Sequence, residues 1–199
     1  MYPFIETIML KDGKLMNMKH HQKRFERTRR DMLGAENHPI LEEYIRVPFD
    51  LPDGILKCRV LYGETVGEIS IGPYARPEIR SLRLVNGDNM DYKYKALDRT
   101  ALSELYMQKG DCDDILIVRN GLITDSFMAN LVFREVQSWI TPDSPLLSGC
   151  QRACLLEEGQ IKEATITVND LKRFEGFKLI NALNSLEEAP ELPMEAIRS

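Results

Sequence analysis

The spacing of apolar and polar positions changes several times along the chain, and each change marks an element. Phe4 to Leu10 reads as a strand, Lys11-Asp12-Gly13-Lys14 as a hairpin turn, and Leu15 to Met18 as the returning strand. Helical signals run from Lys19 to Leu33 and stop at Gly34, a residue suited to the left-handed conformation at a helix end. A short helix is expected over Ile40 to Ile45, ahead of Pro48. Two β-rich runs, Ile55 to Tyr62 and Val66 to Ile71, flank a turn at Gly63. After Pro73 and Pro77, the stretch Ile79 to Val85 alternates as a strand.

Beyond the polar turn Asn86-Gly87-Asp88-Asn89 the texture changes. Leu97, Leu102, Leu105 and Tyr106 are spaced for a helix over Ala96 to Met107. Ile115 to Val118 is wholly apolar, as in a buried strand, and Asn120-Gly121 is a strong hairpin signal. Strands are expected at Leu131 to Phe133 and Trp139-Ile140. A helix should follow Gly149 with Ala153, Leu155 and Leu156 inward, then strands at Ile161 to Val168 and Lys178 to Ile180. The tail from Glu187 reads as loosely ordered. This pattern predicts two α/β lobes, residues 1–80 and 81–199, joined near residues 73–88.

Composition narrows the function classes. With 43% hydrophobic and 29% charged residues over 199 positions, the chain can bury a real core. A net charge of -5 argues against a nucleic-acid partner. The basic run from Lys19 to Arg30 reads as the wet side of a helix. No apolar stretch reaches the ~20 residues that span a bilayer, and Met1 to Leu10 lacks the features of a signal peptide. Cys58, Cys112, Cys150 and Cys154 fit neither a CxxC pair nor a disulfide framework. They read as structural thiols of a cytoplasmic protein. His20, His21 and His38 offer no convincing ligand set and read as surface or helix-end residues, so no metal is expected.

Three segments carry candidate chemistry. In Asp91-Tyr92-Lys93-Tyr94-Lys95-Ala96-Leu97-Asp98-Arg99, Lys95 is expected to open a helix, whose positive end would disfavour an ammonium and supply the neutral amine that imine formation requires. In Asn120 to Phe133, Asp125 lies between an apolar strand and a turn of small residues, where a carboxylate can be held ionised; a plain turn former is the alternative. In Thr141 to Arg152, Gly149 precedes a helix whose first N–H groups, at Cys150 and Gln151, suit an anion such as phosphate.

Together and in this order, the segments resemble the class IV aminotransferases, the fold-type IV pyridoxal-phosphate (PLP) enzymes. That superfamily includes branched-chain and D-amino-acid aminotransferases and 4-amino-4-deoxychorismate lyase. The run Lys95 to Arg99 is similar to the lyase branch's lysine motif. Ile123-Thr124-Asp125 followed by Asn130 resembles the Thr-Glu-x-x-x-x-Asn signature, with aspartate where glutamate is usual. Leu147-Ser148-Gly149-Cys150-Gln151-Arg152 resembles the phosphate segment, and Ile180-Asn181-Ala182-Leu183 the final cofactor loop. More loosely, Ile5-Glu6-Thr7-Ile8, His21-Gln22-Lys23-Arg24-Phe25 and Leu56-Lys57-Cys58-Arg59 resemble the front lobe, here trimmed.

The resemblance implies a D-amino-acid aminotransferase-like α/β fold and a PLP aldimine on Lys95, which also serves as base. It implies a ring-nitrogen contact from Asp125, supported by Asn130. The phosphate would be held by Arg24 and the backbone at Cys150, Gln151 and Ala182, with Gly149 and Asn181 also binding the cofactor. Thr7, Lys57 and Arg59 would face the substrate. It also implies a homodimer acting on a small amino acid and a 2-oxo acid. The alternatives are an aminodeoxychorismate-type lyase and a catalytically idle binding homologue.

Overall fold

The computed structural model describes residues 2–199, which divide into two compact units. The first comprises residues up to Arg76 together with Tyr94–Asp98; the second comprises Pro77–Lys93 and Arg99–Ser199.

The first unit is an antiparallel sheet with one long helix. Strands β1 (Phe4–Lys11), β2 (Lys14–Leu15), β3 (Leu56–Tyr62) and β4 (Val66–Pro73) lie in the order β2-β1-β3-β4. The β1–β2 turn places Asp12 and Gly13 at positive φ, as a tight hairpin demands. Helix α1 (Met18–Leu33) ends at Gly34, whose φ of 62° lets its N–H reach back to the last-turn carbonyls. Because β1 and β3 pair directly, their side chains sort by parity. Phe4, Glu6, Ile8 and Leu10 share a face with Tyr62, Val60, Cys58 and Leu56, while Thr7 and Met9 share the other with Arg59 and Lys57. The first face forms the core: Phe4, Ile8, Cys58, Val60 and Tyr62 pack with Phe25 of α1 and with Leu41 and Ile45.

The basic run on α1 is not all wet. Arg29 is fully buried and donates to the carbonyls of Asn37, Gly63 and Glu64, tying the helix to the β3–β4 turn. Arg24 is buried too, and His20 and His21 are buried rather than superficial. Arg24 and Arg29 turn inward to acceptors, Glu6 for the one and backbone carbonyls for the other, which a charge pattern alone does not reveal.

The second unit is built on a mixed sheet. Its strands are β5 (Leu82–Asn86), β6 (Asp114–Arg119), β7 (Leu122–Ser126), β8 (Asn130–Glu135), β9 (Ser138–Pro142), β10 (Ile161–Ala164), β11 (Gly176–Ile180) and β12 (Ile197–Arg198). They run in the order β10-β9-β8-β7-β6-β5-β12, and β11 pairs with β8. Asn120 and Gly121, both at positive φ, form the β6–β7 hairpin. Helices α2 (Thr100–Tyr106) and α3 (Cys150–Glu157) complete the unit.

Two further expectations fail. The helix anticipated from Ala96 begins only at Thr100, because Lys95 to Leu97 are extended against β1: Ile5 N–H donates to the Lys95 carbonyl and Leu97 N–H to that of Pro3. The tail beyond Glu187 is ordered. Leu192 exchanges backbone hydrogen bonds with Phe177, and Ile197 pairs with Leu82.

The Phe25 ring is fully buried and lies 4.8 Å from that of Tyr62. Phe25→Ala should cost about 3–5 kcal/mol, read as a lower urea midpoint.

Candidate active site

The predicted site residues fall into two sets, one in each unit. In the first, Thr7, Lys57 and Arg59 share one face of the β1–β3 pair, with Ile5 and Met9 buried on the same face. Arg24 belongs to the opposite face, where its Nε and Nη2 donate to the two oxygens of Glu6 at 2.8 and 2.5 Å. His21 Nδ1 lies 2.6 Å from Glu6 Oε2. Burial alone would raise the Glu6 carboxyl, but the charge and hydrogen bonds of Arg24, with help from His21, hold it down to about 2. Burial pushes His21 below its ordinary value against the pull of Glu6, with the Arg24 and Lys95 charges adding to the push. The imidazole is therefore neutral at pH 7, with its proton on Nδ1 facing Glu6. Its buried Nε2 has no hydrogen-bond partner among the described residues.

Sequence reasoning missed Glu6 and His21. Glu6 shares strand parity with Phe4, Ile8 and Leu10, and a lone charge at a core-facing position was the available signal. Lys95 does not open a helix, so the helix-dipole argument for its amine falls away. The residue is half-buried in the extended stretch beside β1.

In the second unit the predicted residues converge. Asp125 is buried at the end of β7 and pairs in register with Asn130 at the start of β8. Asn130 Nδ2 donates to Asp125 Oδ1 at 2.8 Å and to the Leu147 carbonyl at 3.0 Å, while Leu147 N–H donates to Asp125 Oδ2 at 2.9 Å. Burial pushes the Asp125 carboxyl up to about 6, with the Leu147, Asn130 and Arg152 interactions opposing. Gly149, the N-cap of α3, is required by space: a Cβ there would sit 2.0 Å from Asn130 Oδ1. Arg152 anchors α3 by donating to Thr141 Oγ1 and the Pro142 carbonyl. Asn181 shapes its own loop, accepting from Leu183 N–H and donating to the Met128 carbonyl at 3.2 Å, with Ala182 half-buried beside it. A cavity of about 570 Å³ elsewhere in this unit is lined by polar residues such as Asp88, Arg119 and Glu163, and by none of the predicted cofactor residues.

Residues 65–187 match the class IV amino-transferase family. The chain belongs to the class IV aminotransferases. This aminotransferase-family chain is 39% identical to an uncharacterised protein of Haemophilus influenzae over 188 residues, covering 94% of the chain and all of that protein. A crystal structure from Haemophilus somnus, described as a candidate 4-amino-4-deoxychorismate lyase, is 37% identical with a TM-score of 0.86, covering 93% of this chain and 98% of that one. A hypothetical aminotransferase of Mycobacterium tuberculosis in its PLP-bound form shares the fold at 15% identity, with a TM-score of 0.73 over 96% of this chain and 80% of that one.

The cofactor of the class IV aminotransferases is pyridoxal 5'-phosphate, and the donor set here fits it. Asp125 is a buried carboxylate hydrogen-bonded to neutral N–H groups, an arrangement that a cationic pyridinium completes. The first-turn N–H groups of α3 suit its phosphate.

Two outcomes follow. Gly149→Ala should displace Asn130 and weaken PLP binding by about tenfold or more, the scale of a lost hydrogen bond to a charged group, measured by cofactor titration. A raised folded-state pKa at Asp125 means the folded chain binds that proton more tightly than the unfolded chain does. Stability of the cofactor-free protein therefore falls as pH rises from the ordinary 3.8 through about 6. Asp125→Asn should flatten this part of the slope, while its amide nitrogen, set against the Asn130 or Leu147 donor, lowers stability at every pH. Asp114, raised by burial to about 6 as well, would keep part of the slope in that variant. Urea unfolding across pH reads both effects.

Proposed function

We propose that this chain is a PLP-dependent lyase that splits 4-amino-4-deoxychorismate into 4-aminobenzoate and pyruvate, with Lys95 as its catalytic amine. The observation that carries the reading is the face of β1 and β3 on which Lys57, half-buried, and Arg59, exposed, stand two residues apart beside Thr7. Alternate residues of a strand lie ~7 Å apart on one face, a spacing that suits a substrate with two carboxylates. The 37% identity to the candidate lyase of Haemophilus somnus supports it, as do the Lys95–Arg99 and Ile180–Leu183 runs.

When bound, the cofactor supplies an electron sink for the substrate carbon that bears the amino group. Lys95 Nζ takes the proton released at substrate carbon and returns it during product formation. Asp125 keeps the proton on the ring nitrogen it faces, and Asn130 and Leu147 fix the direction of its oxygens. Arg24, held by Glu6, and the backbone at Gly149, Cys150, Gln151, Asn181 and Ala182 retain the phosphate. Lys57 and Arg59 would orient the carboxylates, and Thr7, on the same face, would offer its hydroxyl to the cofactor. The cleavage balances without a second substrate, which separates it from transamination.

A second reading, an aminotransferase acting on a small amino acid and a 2-oxo acid, draws on the family itself. The protein is further proposed to work as a cytoplasmic homodimer. All four cysteines are free thiols, which suits a reducing compartment, and no helix among the described residues is long and apolar enough to cross a membrane.

Purified protein loaded with PLP should show a visible absorbance band that survives dialysis and is lost in Lys95→Ala. It should release pyruvate from 4-amino-4-deoxychorismate with no oxo acid present. Turnover only when a 2-oxo acid is added would favour the aminotransferase, and absence of the band would leave a non-catalytic binding protein.

A further inference from the structure

Arg99 closes the run that begins at Lys95, yet the mechanism above gives it no task. It precedes α2 in the second unit, and its side chain is spent on one short turn. That turn, Ser126–Ala129, separates Asp125 from Asn130. It is closed by Ser126 N–H donating to the Ala129 carbonyl at 2.9 Å and by Ala129 N–H donating to Ser126 Oγ at 3.2 Å. Both backbone groups of Phe127 are gripped from outside it. Arg99 Nη2 donates to the Phe127 carbonyl, and Asp114 Oδ1 accepts from Phe127 N–H at 3.3 Å. The same Asp114 oxygen accepts from Ile115 N–H at 2.7 Å, which fixes it to β6.

The Phe127 side chain is held as well. The Arg99 guanidinium carbon lies 4.1 Å from the ring centroid, and the Tyr106 ring of α2 lies 4.4 Å away. Arg99 Nε is buried with no hydrogen-bond partner among the described residues, a cost that stability alone gives no reason to keep. Asp114 is a buried carboxylate, likewise an expensive choice for a strand end. Two costly charged groups thus converge on one residue, Phe127, that stands two positions from Asp125.

We propose that Arg99 and Asp114 are positioning residues for the cofactor ring: by gripping the backbone of Phe127 they set the spacing and orientation of Asp125 and Asn130. The proposal rests on the reading that Asp125 faces the ring nitrogen of PLP. Asn181, which holds the Met128 carbonyl of the same turn, links it to the last cofactor loop.

The test compares Arg99→Ala, Arg99→Lys and Asp125→Asn with the parent. PLP dissociation constants and the pH dependence of the bound cofactor's visible absorbance are measured, alongside thermal unfolding without cofactor. Arg99→Ala should weaken PLP about tenfold and shift the pH dependence in the direction that Asp125→Asn shifts it. Arg99→Lys, which can still donate to the Phe127 carbonyl, should recover most of both effects. Should Arg99→Ala not fold, Asp114→Ala decides by the same two readouts. A variant with lowered thermal stability but parental affinity and parental pH dependence makes the grip purely structural and overturns the proposal. If Asp125→Asn itself leaves the absorbance and its pH dependence unchanged, the ring-nitrogen reading fails, and that failure is separate from a failure at Arg99.

Discussion

Asp125 is a carboxylate buried where water does not reach it, and several elements of the second unit meet on it. Asn130 and the Leu147 N–H supply the donors that keep its oxygens fixed. Asn130 can come that close only because position 149 has no side chain. Leu147 is placed by the approach to α3, and α3 is placed by Arg152 reaching the end of β9. Each element is local and modest in energy, but the chain of dependence leads back to one buried charge.

Two of the buried carboxylates, Glu6 and Asp125, are treated in opposite ways. Glu6 meets a guanidinium and an imidazole, so its charge is balanced within its own unit and its proton is held off down to about 2. Asp125 receives hydrogen bonds from neutral groups, and these only partly offset burial, so its affinity for a proton rises. A buried ion pair completes a scaffold, whereas a buried charge short of a counter-ion is poised for a ligand that brings one.

Much of this was legible in the sequence where the deciding interactions are local. The Gly34 helix stop, the Asn120-Gly121 hairpin and the strand periods of β1, β3 and β6 depend on neighbours a few residues away. The residues of the second unit expected to hold the cofactor could be marked because resemblance fixed their order, and Asp125, Asn130 and Gly149 do meet. Long-range pairing was hidden. Lys95 is extended because β1 lies beside it, some ninety positions earlier, and helical apolar spacing from Leu97 onward could not disclose that. Ile197 is ordered by Leu82 in the same way. The inward cations of α1 were illegible for another reason: Arg24 and Arg29 look like any solvated arginine until Glu6 and the carbonyls of Asn37, Gly63 and Glu64 are placed.

The parity of β1 has a bearing on how the chain finds its fold. A slip of one residue against β3 would turn Glu6 outward and present Thr7 to α1, leaving Arg24 enclosed with no anion. Hydrophobic burial alone discriminates weakly against such a slip, since Ile5 and Met9 could replace Ile8 and Leu10 as apolar filling. The ion pair makes the error expensive, so the same contact that holds Arg24 also proofreads the alignment of the strand carrying Thr7.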